Sequence, residues 1–306
     1  MATSNPGFTI TRAGGVGRNI AENLARLGVA TEFVSAFGAD MNGNWLRSET
    51  EAAGVSVRHS LVSRGATGSY SAVLDRGGEL VVAVSAMEIL DALTPQVVDS
   101  IEALISSCAL LVLDCNLREE TLVRAATVAR DAGVAVLVDT VSVTKSVRGN
   151  AVLDAGVEVH TISPNVAELA TLAACAGNQQ ADLADAAARL HERGARHVWI
   201  RRGEAGSLMS SRRNHETMVD EFAACDAVVV DVTGAGDAML AGYAAALVTG
   251  LGERNAVAYG HAAAAMTVES EWTVSPEMRL ATLTARVHAC GKSAKGQRLV
   301  ADEHNG

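Results

Sequence analysis

A carboxylate closing a glycine turn is the feature of this chain best suited to chemistry. Residues 226–250 read DAVVVDV, then TGAGD, then AMLAGYAAALVTG. The first part has the β-branched composition of a buried strand, and the last is long and apolar enough for a helix. Gly234 and Gly236 allow the backbone to come close to a ligand, and the N–H groups of a first helical turn form an anion site. Asp237 would repel an anion bound there. Its position therefore suggests work on a nucleophile, accepting a hydroxyl proton while the amides hold a transferring phosphoryl group. The alternative is a helix capped by Thr233, with Asp237 merely favouring the positive end of the dipole.

Two further constellations bear polar side chains at useful spacing. In SPNVAEL, Asn165 and Glu168 stand three apart at a predicted helix start, where their oxygens suit Mg²⁺ held through its waters. A capping box accounts for the same pair, and on the residue pattern alone it is the stronger reading. Near the N-terminus, Gly14 and Gly15 lead into VGRNIAENLARLG, which places Asn19 one turn into a helix. There its amide either reaches ligand hydroxyls or sits on the surface. Gly15-Val16-Gly17 is a weak dinucleotide fingerprint, since the third glycine is missing and the strand before it is poor.

The elements that must position these residues alternate. Val16, Ile20, Leu24 and Leu27 fall on one helical face, and Gly28 ends it. TEFVSAFG reads as a strand and NGNWLRSETEAAG as a helix. Between residues 55 and 87 the pattern changes to strands alone, VSVRHSLV, TGSYSAVLD and ELVVAVSAM, with a hairpin turn at Arg76-Gly77-Gly78. This predicts a lid, a dimer contact or an extension of the main sheet. Thr94-Pro95 then starts a helix. ALLVLDCN, VAVLVDTV and VEVHTISPN follow as strands separated by helices, which argues for a mainly parallel sheet covered on both faces. Ligands of such sheets lie beyond the carboxyl ends of the strands, where Asn116, Asp139 and Asn165 fall. RHVWIRRGEAGSLM reads as two strands around a glycine turn, with Arg201 and Arg202 as charges of the kind usually solvated.

Composition excludes several classes of function. The 306 residues carry a net charge of -10 and 3% aromatic content, without a basic stripe or stacking platforms, so nucleic acid is not an expected partner. Cys108, Cys115, Cys175, Cys225 and Cys290 show no paired spacing and read as reduced core thiols. The eight histidines show no H-x-x-x-H pairing, so no structural metal is expected. No apolar run approaches membrane-spanning length and no export signal opens the chain, which points to a cytoplasmic protein. Gly291-Lys292-Ser293 ends like a phosphate-binding loop, but no strand leads into it. Residues 291–306 read as a polar, disordered tail.

D-V-T-G-A-G-D, residues 231–237, resembles the C-terminal signature of the ribokinase-like (pfkB) carbohydrate kinases. GGVGRNIAENLARLG with FVSAFGAD resembles the family's N-terminal signature. The resemblance implies a three-layer α/β sandwich with a mostly parallel central sheet and a small β lid at about 55–87, within one domain over 1–290. It makes Asp237 the catalytic base and Gly234, Ala235 and Gly236 the anion hole. Gly14, Gly15 and Asn19 become substrate contacts; Gly203, Gly206 and His261 border the nucleotide. For His261, a satisfied helix histidine is the competing reading. Asn165 and Glu168 fall on the family's Mg²⁺-governing N-x-x-E motif, and Asp231 and Thr233 on its monovalent-cation positions, which implies ATP, Mg²⁺ and a K⁺ effect. Lid-mediated homodimers occur in the family. TSNPG, VLVDTVSVTKS and HTISPNVAEL look like the pseudouridine kinases of that family. Family members begin with a strand bearing a sugar-binding acidic residue, which is expected to be missing here. A weakened or non-catalytic nucleoside- or nucleotide-binding relative, or another ribokinase-like sugar kinase, is therefore the alternative.

Overall fold

The computed structural model describes residues 7, 9–75, 80–174, 180–213, 216–290 and 298–299. The hairpin turn at 76–78, Cys175 and Gly291-Lys292-Ser293 lie outside them. The N-terminal part runs α1 (Val16–Arg26), β1 (Ala36–Gly38), α2 (Met41–Ala52), β2 (Leu61–Ser63), β3 (Ser69–Leu74) and β4 (Leu80–Ala86). The middle runs α3 (Pro95–Ser100), α4 (Glu102–Ser107), β5 (Leu110–Asp114), α5 (Glu119–Asp131), β6 (Ala135–Asp139), α6 (Val143–Ser146), α7 (Gly149–Asp154) and β7 (Val159–Ser163). Then come α8 (Val166–Leu172), α9 (Gln180–Glu192), β8 (Ala195–Arg201), β9 (Ser207–Arg213), β10 (Glu216–Phe222), α10 (Ala235–Val248), α11 (Glu253–Val268), α12 (Leu280–Cys290) and β11 (Arg298–Leu299).

The seven-stranded sheet has the order β11-β10-β9-β8-β7-β6-β5. Strands β5 to β8 pair in parallel, and β8 to β11 continue as an antiparallel meander. The two-residue period of a strand sends alternate side chains to opposite faces. Val136 and Val138 accordingly enter one core with Leu122, Ala126 and Leu169, while Leu137 enters the other with Tyr243 and Met278. Val198 and Ile200 share the first core, and Trp199 the second. The two cores form the two interfaces of the expected three-layer sandwich.

On the second face α10 is apolar around its whole circumference, because it is covered by α1, α11 and the sheet. Gly242 makes the α10–α11 approach close: a Cβ there would lie 2.7 Å from the carbonyl oxygen of Tyr259. Antiparallel β3 and β4 form a sheet of their own, which excludes an extension of the main sheet. Strand β1 pairs in parallel with β2, also apart from the seven strands. A large cleft separates β1 from β5, the edge strand.

Two expectations are corrected. DAVVVDV forms no strand: Val228, Val229, Val230 and Val232 are exposed, and the N–H groups of Val230 and Asp231 both donate to the carbonyl of Val268. The run has strand composition but no strand edge to pair with. Cys225 and Cys290 are not reduced thiols; they form a disulfide with a Cα separation of 5.2 Å. Packing brings the end of α12 to the segment before the glycine turn, although 65 residues separate the pair in sequence. Within residues 291–306, Arg298–Leu299 pairs with β10 as β11. Among the described residues no helix is long and apolar enough to cross a membrane.

Candidate active site

Gly234 opens α10 in the left-handed conformation, φ 83°. A side chain there would be strained and would collide with the backbone of Thr273. The turn satisfies one of its own donors, since the Ala235 N–H reaches the Val232 carbonyl at 3.2 Å. The first-turn N–H groups of Gly236 and Asp237 have no such carbonyl partner among the described residues. Those two amides are thus free at the helix start beside the Asp237 carboxyl.

The Asp237 side chain points into a cleft of about 2890 Å³. Its Oδ2 accepts a 2.8 Å hydrogen bond from Nδ2 of Asn19, contributed by α1. Asn19 is 4% exposed, so the reading of a surface asparagine fails. Its Oδ1 is buried without a protein partner. Gly14 and Gly15 line the same cleft, and Gly15 leads into α1 at φ 110°. The two signature regions, more than two hundred residues apart, thus meet at one carboxylate.

Further carboxylates surround it. Asp114, at the end of β5, accepts from the amides of Gly17 (3.0 Å) and Asn116 (2.8 Å). Asp139, at the end of β6, accepts from the Val141 amide at 2.8 Å, and its Oδ2 is buried without a hydrogen-bond partner. Val141 itself has φ 64°, a strained value for a β-branched residue, held where the site requires the chain to turn. Burial raises the pKa of both Asp114 and Asp139. Asp237 is raised to about 7 by burial and then by the neighbouring charges of Asp139 and Asp114; the Asn19 hydrogen bond and Arg201 oppose the rise. A carboxyl group that titrates near neutrality is suited to exchange a proton with a hydroxyl.

Arg201 is not a solvated strand-end charge. Its guanidinium lies 3.6 Å from Asp139 and 3.2 Å from Glu168, close enough to Gly236 that a Cβ at 236 would strike it. Arg202 instead pairs with Glu221 at 2.5 Å. Lys145 donates to Oδ1 of Asn116 at 2.5 Å, and burial lowers its pKa. Neither Asp114 nor Lys145 was singled out from the sequence. The aspartate stands two residues before Asn116 at a predicted strand end, the signal that marks it.

Asn165 and Glu168 form the capping box: the Glu168 amide donates to Asn165 Oδ1 and the Asn165 amide to Glu168 Oε2, both at 2.9 Å. Glu168 Oε2 is occupied further by Thr140 and Arg201, whereas Oε1 accepts only from Asn165 Nδ2. Asn165, Arg201, Arg202 and Gly203 line a second cavity of about 610 Å³. Gly206, φ 81°, closes the turn against the backbone of Phe222 and does not line it. His261 lines neither of these two cavities, and its Nε2 lies 2.7 Å from Ser207 Oγ. Burial lowers its pKa to about 4, which marks a satisfied core histidine. Thr233 lines the large cleft, while Asp231 is exposed beside it and accepts from the Thr233 amide at 2.9 Å.

The profile of the pfkB family carbohydrate kinases matches residues 7–279. The chain belongs to the pfkB family. It is 36% identical to the pseudouridine kinase of Escherichia coli over 94% of this chain and 89% of that protein. The pseudouridine kinase of Arabidopsis thaliana is 27% identical over 96% of this chain and 91% of that one. A carbohydrate kinase from Agrobacterium tumefaciens superposes with a TM-score of 0.80 at 29% identity, covering 97% and 92% of the two chains. Arabidopsis ribokinase, solved with ribose and ATP, shares the fold with a TM-score of 0.81 at 22% identity over 94% and 93%. This pfkB protein is thus a kinase that phosphorylates a hydroxyl group.

Proposed function

We propose that this kinase transfers the γ-phosphate of ATP to the 5′-hydroxyl of pseudouridine. The observation that carries the chemistry is the Asn19–Asp237 pair, set in the cleft beside an amide-bearing helix start. The substrate is supported by the 36% identity to a pseudouridine kinase across nearly the whole chain. Asp237 takes the hydroxyl proton as the oxygen attacks. The amides of the 234–237 turn receive the transferring group, a contribution of about 3 kcal/mol per donor in other enzymes. Asn19 orients the base and, with Gly14 and Gly15, holds the sugar. Gly203 and the arginines at the smaller cavity border the nucleotide.

The donor set fits a divalent cation, because Asp139 Oδ2 is a buried oxygen with no hydrogen bond, 3.6 Å from the Arg201 guanidinium, and Glu168 Oε1 retains a lone pair. Mg²⁺, when bound, neutralises phosphate charge that would otherwise meet four carboxylates. Asn165 and Glu168 hold it through water. Asp231 and Thr233 supply oxygens for K⁺. The exposed hairpin, with Tyr70, Val82 and Val84, either covers the substrate or meets a second copy of the chain.

The test is an ADP-release screen over nucleosides and sugars. Turnover greatest with pseudouridine and absent in Asp237→Asn supports the proposal, whereas turnover greatest with ribose or a hexose overturns the substrate assignment. A second reading, a non-catalytic relative, is favoured by the open cleft between β1 and β5. Calorimetric nucleoside binding without any ADP release would establish it.

A further inference from the structure

His160, His197 and Glu253 converge far from the kinase site. The histidines sit on the adjacent strands β7 and β8, and Glu253 is the first residue of α11. One ligand atom from each lies within 4.8 Å of the others, and the two rings are 5.0 Å apart. Helix α10, whose 14 residues span about 20 Å, separates this cluster along its axis from Asp237.

His197 gives the cluster its direction. The residue is 0% exposed, and its Nδ1 lies 2.8 Å from Ser211 Oγ. Its Nε2 is buried without a hydrogen-bond partner and faces Glu253 Oε1 at 3.7 Å, too far for a hydrogen bond. If Nδ1 donates to Ser211, a lone pair on Nε2 confronts a carboxylate oxygen, and only a shared cation or proton reconciles them. His160 Nδ1 is engaged with Thr161 Oγ1 at 2.9 Å, which leaves its Nε2 as the ligand.

We propose that His160, His197 and Glu253 bind a divalent transition-metal ion, Zn²⁺ by the chemistry of two imidazoles and a carboxylate, at the end of α10 remote from the kinase site. The outer contacts are of the kind that orient metal ligands: Ser211 fixes the His197 ring, and Arg213 holds Glu253 Oε2 at 3.0 Å, while Oε1 faces His197 Nε2 and Arg196, each at 3.7 Å. Arg196 also approaches Glu253, at 3.7 Å, with a side chain 41% exposed that is able to turn into solvent as the ion enters. Ligand atoms around tetrahedral zinc stand about 3.4 Å apart, so His160 and Glu253, the two less buried members, must close by about 1 Å. The ion would tie the start of α11 to β7 and β8. H-x-x-x-H spacing could not reveal the site, because its ligands come from three elements.

The test uses the full chain after removal of metal by chelator. Zn²⁺ titration followed by calorimetry, and Co²⁺ titration followed by visible absorption, are expected to saturate at one equivalent. Zn²⁺ is expected to raise Tm. His160→Gln and Glu253→Gln should each weaken binding by at least about tenfold and remove that rise. Both residues are partly exposed, so these variants are expected to fold. Absence of saturable binding at micromolar Zn²⁺ would overturn the proposal. So would binding unchanged in both variants, or a Co²⁺ spectrum dominated by thiolate charge transfer, since either places the ion elsewhere.

Discussion

Replacing Asp237 by asparagine should make the protein inactive and more stable. The carboxyl group titrates near 7 in the folded chain against an ordinary 3.8, so the folded state holds its proton through a range in which the unfolded state has lost it. Stability therefore falls as pH rises from about 4 to about 7, and the full penalty is present only above the folded pKa. A displacement from 3.8 to about 7 corresponds to about 4 kcal/mol, a ceiling that local rearrangement lowers. Asparagine keeps the shape and can still accept from Asn19 while carrying no charge. Urea unfolding of ligand-free protein at about pH 8 should thus favour Asp237→Asn by up to about 4 kcal/mol, with less than half of that gain at about pH 5. ATP should still bind, and phosphoryl transfer should be lost. A variant no more stable than the parent at pH 8, or one whose advantage does not grow with pH, would refute the picture of a carboxylate burdened by burial and like charge.

Three other outcomes follow from the same geometry. Asn19→Ala removes a hydrogen bond that lowers the Asp237 pKa, so the acid limb of kcat/KM should move up by about one pH unit; an unmoved limb would show that Asn19 does not orient the base. Gly234→Ala forces a side chain into φ 83° against Thr273 and should cost at least about 2 kcal/mol by denaturant unfolding, along with most of the activity. Cys290→Ser, or reduction of the oxidised protein, frees a 65-residue loop and should lower Tm by an amount corresponding to at most about 4 kcal/mol.

Features carried by local pattern were legible in the sequence. Strands alternating with helices imply a sheet covered on both faces, and in the strand within residues 134–141 Leu137 and Val138 do enter opposite cores. The TGAGD turn implies a helix start with free amides, and Asn19 in the other signature meets its carboxylate. What remained hidden depends on non-local neighbours. A β-branched run becomes a strand only beside a free edge, and residues 226–232 instead meet the end of α11 and Arg286 of α12. Helical periodicity placed His261 on α11 without revealing Ser207 behind it. Arg201 looked like an ordinary terminal charge because the carboxylates that hold it arrive from β6 and α8.

That last pairing bears on how the site tolerates its own charge. Asp114, Asp139 and Asp237 all titrate above their ordinary value, and the guanidinium of Arg201 is the cation acting on two of them. With a pKa of about 7, Asp237 is protonated in about half of the molecules at neutrality, and the protonated form cannot act as a base. Binding that brings in positive charge, or a pH above about 7, raises the share able to act as a base. A divalent cation arriving with the nucleotide beside Glu168 and Asp139, as proposed, would supply that charge. The acidity that destabilises the empty site thereby couples deprotonation of the base to the presence of the phosphoryl donor.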